Sequence, residues 1–157
     1  MTANIKLREA LHSELDDMLS IFEETVRTTC KDDYSKEEIR AWVAAADKVE
    51  KWKQKLNHEY LIVAHIGEDL VGFGGMKGND HIDFIFTHVQ HGNKGVASLI
   101  YDQMQSFAKD HGIRKLHSHV SKTGRKFFEQ KGFQITQEQS HVLGDVTLTN
   151  FTMEKEI

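Results

Sequence analysis

Phe84-Ile85-Phe86-Thr87-His88-Val89-Gln90-His91-Gly92-Asn93-Lys94-Gly95-Val96-Ala97-Ser98-Leu99-Ile100 reads as a strand, a glycine-bearing loop and the start of a helix. Amides in the first turn of a helix have no partner inside it, and the helix dipole favours an anion there. Glycine lets backbone approach a phosphate with no Cβ in the way. Lys94 adds a point charge. The stretch therefore predicts a pyrophosphate cradle; a strand-to-helix turn with no ligand is the competing reading. Two familiar phosphate motifs do not fit. A P-loop needs Ser or Thr after its lysine, and Gly95 follows Lys94. The dinucleotide fingerprint needs G-x-G-x-x-G early in a βαβ unit, and neither the spacing nor the place matches.

Downstream of this stretch, the helix is expected over 95–110, with Leu99, Met104, Phe107 and Ala108 buried and Gly112 closing it. A strand over 115–120 follows, then a short helix over 123–131 ended by Gly132. Residues 133–142 and 146–154 read as an antiparallel pair around Leu143-Gly144-Asp145. Upstream, 60–66 and 70–76 form a hairpin across Gly67-Glu68-Asp69, and 81–88 is the next strand. At the start, 5–10 is a strand. Ser13 reads as the cap of a helix carrying Leu15, Met18, Leu19, Phe22 and Val26. Ser35-Lys36-Glu37-Glu38 is a capping box opening a helix with Ile39, Trp42, Val43 and Ala46. A further helical piece runs through Val49, Trp52 and Leu56. The order βααα-βββ-αβαββ predicts an α/β (α+β) fold with a mixed sheet of about seven strands and about four helices.

The 157 residues suit one domain, 1–157. Twenty basic against 24 acidic residues give a formal charge of −4, the wrong sign for a free nucleic-acid binder. Cys30 is the single cysteine, which excludes an internal disulfide and a multi-cysteine zinc site. No apolar run approaches the ~20 residues that span a bilayer. Residues 1–6 lack an apolar leader core, so a cytoplasmic protein with no membrane partner is expected. Among ten histidines, His117 and His119 could join His81 or Asp83, but strand spacing alone fixes no ligand geometry, and no metal is expected. Lys48, Lys51, Lys53 and Lys55, interrupted by Glu50, read as a solvated helix face.

The glycine loop resembles motif A of the GNAT acetyltransferase superfamily, [QR]-x-x-G-x-[GA]. Gly95 and Ala97 match, and Gly92 stands where Gln or Arg is usual. Phe127-Phe128-Glu129-Gln130-Lys131-Gly132-Phe133 resembles the end of the family's motif B, and the element order is the GNAT order. Asp33-Tyr34-Ser35, Trp42 and the tail from Leu148 to Lys155 look like a bacterial GNAT subgroup. The resemblance covers almost the whole chain. It implies acetyl-CoA as cosubstrate and direct transfer to a primary amine of a small molecule or a protein. The alternative is a GNAT-fold protein that binds acyl-CoA or a partner without turnover. A homodimer is a further implication by analogy.

The resemblance also implies site residues. The pantetheine arm would pair with the strand at Ile85, Phe86 and Thr87. The pyrophosphate would sit on the amides of Gly92, Asn93, Lys94, Gly95, Val96 and Ala97, with Ser98 near. Ser121 and Phe128 would also meet coenzyme A. Amine attack needs a neutral nitrogen, and a lysine-type amine titrates near ~10.4, so a base must take its proton. Asp83 is the candidate, placed by alternation on the face of Ile85 and Thr87. His117 or His119, which alternate onto one face of the next strand, is a second. An amide near Phe86 would hold the oxyanion. The motif B tyrosine that many members use to protonate the leaving thiolate is Phe128 here. Tyr101, Ser121, Thr123 or water would have to replace it. Tyr34, Trp42 and Asn150 are the candidates for acceptor contacts.

Overall fold

The computed structural model describes residues 4–44, 48–92 and 94–157. Seven strands form one sheet in the order β1-β2-β3-β4-β5-β7-β6. The strands are β1 (Ile5–Glu9), β2 (Tyr60–Ile66), β3 (Asp69–Lys77), β4 (His81–Thr87), β5 (Lys115–Ser121), β6 (Gln134–Leu143) and β7 (Val146–Glu156). All neighbours are antiparallel except β4 and β5. Five α-helices are described: α1 (Leu15–Thr29), α2 (Lys36–Val43), α3 (Val49–His58), α4 (Val96–Asp110) and α5 (Arg125–Gln130).

Alternation along the strands builds two cores. On one side of the sheet Ile62, Ala64, Met76 and Ile82 meet Val96, Ile100, Tyr101 and Met104 of α4 and Phe128 of α5. On the other side Leu61, Val63 and Phe73 meet Met18, Phe22 and Val26 of α1, Ile39 and Val43 of α2, and Trp52 of α3. The glycines of β3 set the first spacing. A Cβ on Gly72 would lie 2.6 Å from Val96 Cγ1, and one on Gly74 would lie 2.6 Å from Met104 Cε. Helix α4 therefore rests almost on the backbone of β3.

Three local expectations are corrected. Ser13 is not the cap of α1. The Glu14 carboxylate instead accepts the Leu11 amide at 2.8 Å while Arg8 grips both its oxygens at 2.7 Å. This winds His12–Glu14 into a 3-10 turn, and α1 starts at Leu15. Leu99 is 40% exposed, and Ile100 and Tyr101 are buried in its place. The α4 stripe runs Val96, Ile100, Met104, Ala108, so Leu99 falls outside it. Val49 is also exposed, and Trp52 alone is buried from α3. The capping box stands as read: the Ser35 Oγ accepts the Glu38 amide at 3.1 Å, and Glu38 accepts the Ser35 amide at 2.8 Å. Ala46 and Asn93 lie outside the described residues.

Candidate active site

β4 and β5 run parallel, and they pair only at His81 with His117 and Ile82 with Ser118. Beyond that point β5 stays bonded to β7 and β4 to β3. The sheet opens there, and the β5-facing edge of β4 from Asp83 to Thr87 has no strand beside it among the described residues. A cavity of about 680 Å³ fills the opening. Its walls include Ile85, Phe86 and Thr87 of β4, Val120 and Ser121 of β5, and Phe127 and Phe128 of α5.

The backbone of β4 breaks register where the gap begins. Consecutive Gly75 and Met76 of β3 face Phe84 and Ile82, so Asp83 is an extra residue bulged out of the ladder. Bulges re-aim side chains. Strict alternation would put Asp83 with Ile85; the bulge turns it to the side that carries Phe84 and α3. There Lys55 Nζ lies 2.5 Å from Asp83 Oδ2 and 3.4 Å from Glu59 Oε2. Lys55 is itself 5.7 Å from the centre of the Phe84 ring.

These three groups set one another's protonation. Burial, with help from the neighbouring Asp83, pushes the Glu59 carboxyl up to about 7, and Lys55 offsets only part of that. Burial acts on Asp83 in the same direction, but hydrogen bonds from Lys55 and Glu59 outweigh it and hold Asp83 below the usual carboxylate range. Glu59 has a side chain only 6% exposed, and its Oε1 is buried with no donor among the described residues. A carboxylate only accepts hydrogen bonds, so two ionised carboxylates cannot bond to each other. A proton on Glu59, donated to Asp83, gives both oxygens a partner.

At the other end of β4 the chain makes a tight turn over Val89–His91. The His88 Nδ1 accepts the Gln90 amide at 3.1 Å, and the Thr25 Oγ1 donates to the Thr87 carbonyl at 2.9 Å, tying α1 to the loop. Gly95 then caps α4 at φ +79°, a left-handed conformation that suits glycine. The amides of Val96, Ala97 and Ser98 are in the first helical turn, where no intrahelical carbonyl reaches them. Gly92 and Ala97 line the cavity; the Val96 side chain is buried beneath. Lys94 on the loop and Ser98 in the first turn of α4 are not among the lining residues. The Lys94 ammonium lies 3.0 Å from His91 Nδ1.

The structure sorts the remaining candidates. His117 does not line the cavity, and His119 does. Both share a face, but His117 sits at the paired end and His119 beyond the split. His119 Nδ1 lies 2.8 Å from Gln139 Nε2, and its ring is 5.0 Å from His81. Tyr34, Trp42 and Asn150 all line the cavity. The Tyr34 hydroxyl is engaged on backbone, donating to Thr149 at 2.9 Å and accepting from Lys122 at 2.9 Å. Trp42 stands edge-on to Tyr34 at 5.3 Å. Asn150 Oδ1 is different: it is buried and has no donor among the described residues. Tyr101 is absent from the lining and bonds Gln105 and Lys155; burial pushes it up to about 12. The Thr123 hydroxyl donates to Asp33 at 2.7 Å. Ser121 Oγ accepts the Gly124 amide at 2.9 Å and keeps its own proton to give. Cys30 lines the cavity as a buried thiol, and burial pushes its pKa up.

The profile of the acetyltransferase (GNAT) domain matches residues 30–156. The chain belongs to the GNAT acetyltransferase family. It is 29% identical over 150 residues to the uncharacterized N-acetyltransferase YafP of Escherichia coli (strain K12), spanning 96% of this chain and 95% of that protein. A GCN5-related N-acetyltransferase from Rhodopseudomonas palustris superposes with a TM-score of 0.95 at 28% identity, covering all of this chain and 97% of its own. The PaiA N-acetyltransferase of Thermoplasma acidophilum, solved with coenzyme A, has a TM-score of 0.83 at 19% identity over 98% of this chain and 99% of its own. In this GNAT chain the residues missed by the sequence reading are Glu59 and Lys55. Nothing local marks them, because the β4 bulge alone brings Asp83 to α3. No helix among the described residues is long and apolar enough to cross a membrane, and no group of three or more metal-ligating side chains occurs among them.

Proposed function

We propose that this protein transfers acetyl directly from acetyl-CoA to a primary amine of a small molecule or a protein. The observation that carries it is the opening between β4 and β5, with a helix N-terminus at one end and a polarised carboxylate pair at the other. The free edge of Ile85–Thr87 suits a ligand that bonds as a strand, and the first-turn amides of α4 suit its pyrophosphate. The fold match to a protein holding coenzyme A supports the same occupant. Direct transfer is favoured over an acyl-cysteine route because Cys30, the single cysteine, is held as a neutral thiol. Asp83 accepts the amine proton and shares it with Glu59. Asn150 Oδ1, buried without a donor among the described residues, accepts an N–H of either substrate in this reading. Ser121, whose Oγ accepts the Gly124 amide and keeps its own proton, offers it to the departing thiolate, since Phe128 has none.

Calorimetric titration tests the coenzyme half of this reading. Acetyl-CoA and free CoA are expected to bind with micromolar constants, ~8 kcal/mol. Absence of heat at millimolar ligand would remove it, and the binding-protein alternative would then need another ligand.

The carboxylate pair predicts a pH signature. Asp83 of β4 and Lys55 of α3 are the charged groups that act on Glu59, which caps the end of α3; Lys51, His58 and Lys77 line the same small pocket as Glu59. The pair accepts a proton only when both carboxyls are ionised, so turnover should rise as pH rises through about 7. Glu59→Gln keeps a donor toward Asp83 and removes the titration, so that limb should vanish and the plateau should fall about tenfold. Stability has the matching sign. A carboxyl raised in the folded state binds more protons than the unfolded chain between its ordinary value and about 7, so stability falls as pH rises across that window. Melting temperatures of the wild type should decline over this range, and those of Glu59→Gln should stay flatter. An unchanged rate profile in Glu59→Gln would discard the shared proton.

A further inference from the structure

Four lysines line the cavity: Lys48, Lys51 and Lys55, which helical spacing puts on one face of the α3 region, and Lys77 at the end of β3; Lys55 pairs with Asp83, and Lys77 acts on it electrostatically. Lys48, Lys51 and Lys53 are exposed, as expected of a solvated helix face, and Lys48, Lys51 and the half-buried Lys55 also form part of the cavity wall. Asp83 is the sole carboxylate among the lining residues, and Lys55 already pairs with it. Among the described residues Lys48, Lys51 and Lys77 have no carboxylate within ion-pair distance.

Two facts show that this charge is not a general property of the surface. The chain as a whole carries −4, so the basic end is local. Lys48 and Lys51 also occupy the cap and first turn of α3, where the helix dipole disfavours cations. Coenzyme phosphate does not account for them either. The cradle formed by Gly92 and the first turn of α4 follows the far end of β4, and the four steps from Asp83 to Thr87 at ~3.3 Å each put about 13 Å of strand between Asp83 and the start of that loop. The lysines thus face the acceptor side.

Resting on the acetyl-transfer reading, we infer that the acceptor is a small primary amine whose own molecule carries a carboxylate or phosphate group, held by Lys48, Lys51 and Lys77 while its amine meets Asp83. A polyamine is the opposite class: its second ammonium would enter a wall of like charge.

The test uses acceptors of one length. 4-Aminobutanoate, 4-aminobutanamide and 1,4-diaminobutane differ only in the distal group; 2-aminoethyl phosphate against ethanolamine separates phosphate from carboxylate. Transfer is followed as CoA release, and binding of the same compounds to the CoA-loaded protein is measured by calorimetry. The anionic compounds should exceed the amide at least tenfold in kcat/KM or affinity, and the diamine should be weakest. The advantage should shrink as salt rises, because the lysines are exposed. In Lys48→Glu/Lys51→Glu the preference for the anion should be lost through KM, with acetyl-CoA affinity unchanged. Glutamate at those helix positions is favoured, so the variant should fold. If no compound is acetylated, none of them is a substrate, and the binding series to the CoA-loaded protein alone decides which charge class the basic wall holds. Equal binding of all compounds, or diamine first, overturns the inference.

Discussion

Asp83→Asn should lower turnover between a hundredfold and a thousandfold while leaving the affinity for acetyl-CoA unchanged. That is the range lost when a positioned proton acceptor is removed. The residue carries the effect because of where the backbone puts it. It is the bulged residue of β4, one step past the last contact with β5, at the mouth of the gap. An acceptor amine reaching an acetyl group in that gap arrives protonated, since its pKa is near ~10.4, and the nearest cavity-lining carboxylate is Asp83. Asparagine keeps the shape and cannot take the proton. Lys55 retains Glu59 as a partner, so the ion pair is reduced rather than abolished. A second readout separates a proton acceptor from a merely structural acid. Without the charge of Asp83, Glu59 should fall from about 7 toward the ordinary carboxylate range, visible as a shift of its carboxyl resonance with pH. Turnover within threefold of the wild type would end Asp83's candidacy and pass the role to His119 or to water.

The reach of the sequence reading can be judged at that same residue. The strand, loop and helix around the glycine motif are local features: apolar alternation, a glycine able to adopt φ +79°, a stripe at helical spacing. Each was legible, and each lies where expected. The position of Asp83 on the strand was legible too, but its direction was not, because a bulge depends on the mismatch between β4 and β3 rather than on β4 itself. Its partners were hidden for the same reason: Lys55 and Glu59 lie 28 and 24 positions earlier and are brought over only by the packing of α3. His117 and His119 have the same local pattern, and only the point at which β5 leaves β4 distinguishes them. Asn150 was readable as a polar residue in a closing strand; that its oxygen is buried without a donor among the described residues is a property of the assembled cavity.

Gly74→Val should cost about 3 kcal/mol and weaken coenzyme binding in the protein that still folds. A Cβ at Gly74 would fall 2.6 Å from Met104 Cε, 2.7 Å from Ile100 Cγ2 and 3.2 Å from the Phe84 carbonyl oxygen. Met104 can swing its terminal methyl aside, but Ile100 is β-branched and fully buried, and the carbonyl is part of the β3–β4 ladder. Overpacking a core costs ~1–3 kcal/mol, and the two methyls of valine put this site at the upper end. Against a total of ~5–15 kcal/mol that is a large share, equal to roughly 10 °C in melting temperature for a chain of this size. The consequence for the site follows from geometry. The clash is relieved by lifting α4 off β3, and α4 carries the amides of Val96, Ala97 and Ser98, while β4, bonded to the other side of β3, carries the edge from Ile85 to Thr87. Moving one against the other stretches the two halves of the proposed coenzyme site apart. Gly92→Ala is the control, since its φ is −61° and its nearest neighbour would be the Val89 carbonyl at 3.8 Å, so its melting temperature should match the wild type. A Gly74→Val protein with wild-type stability and coenzyme affinity would show that the close seating of α4 on β3 is not what fixes the site.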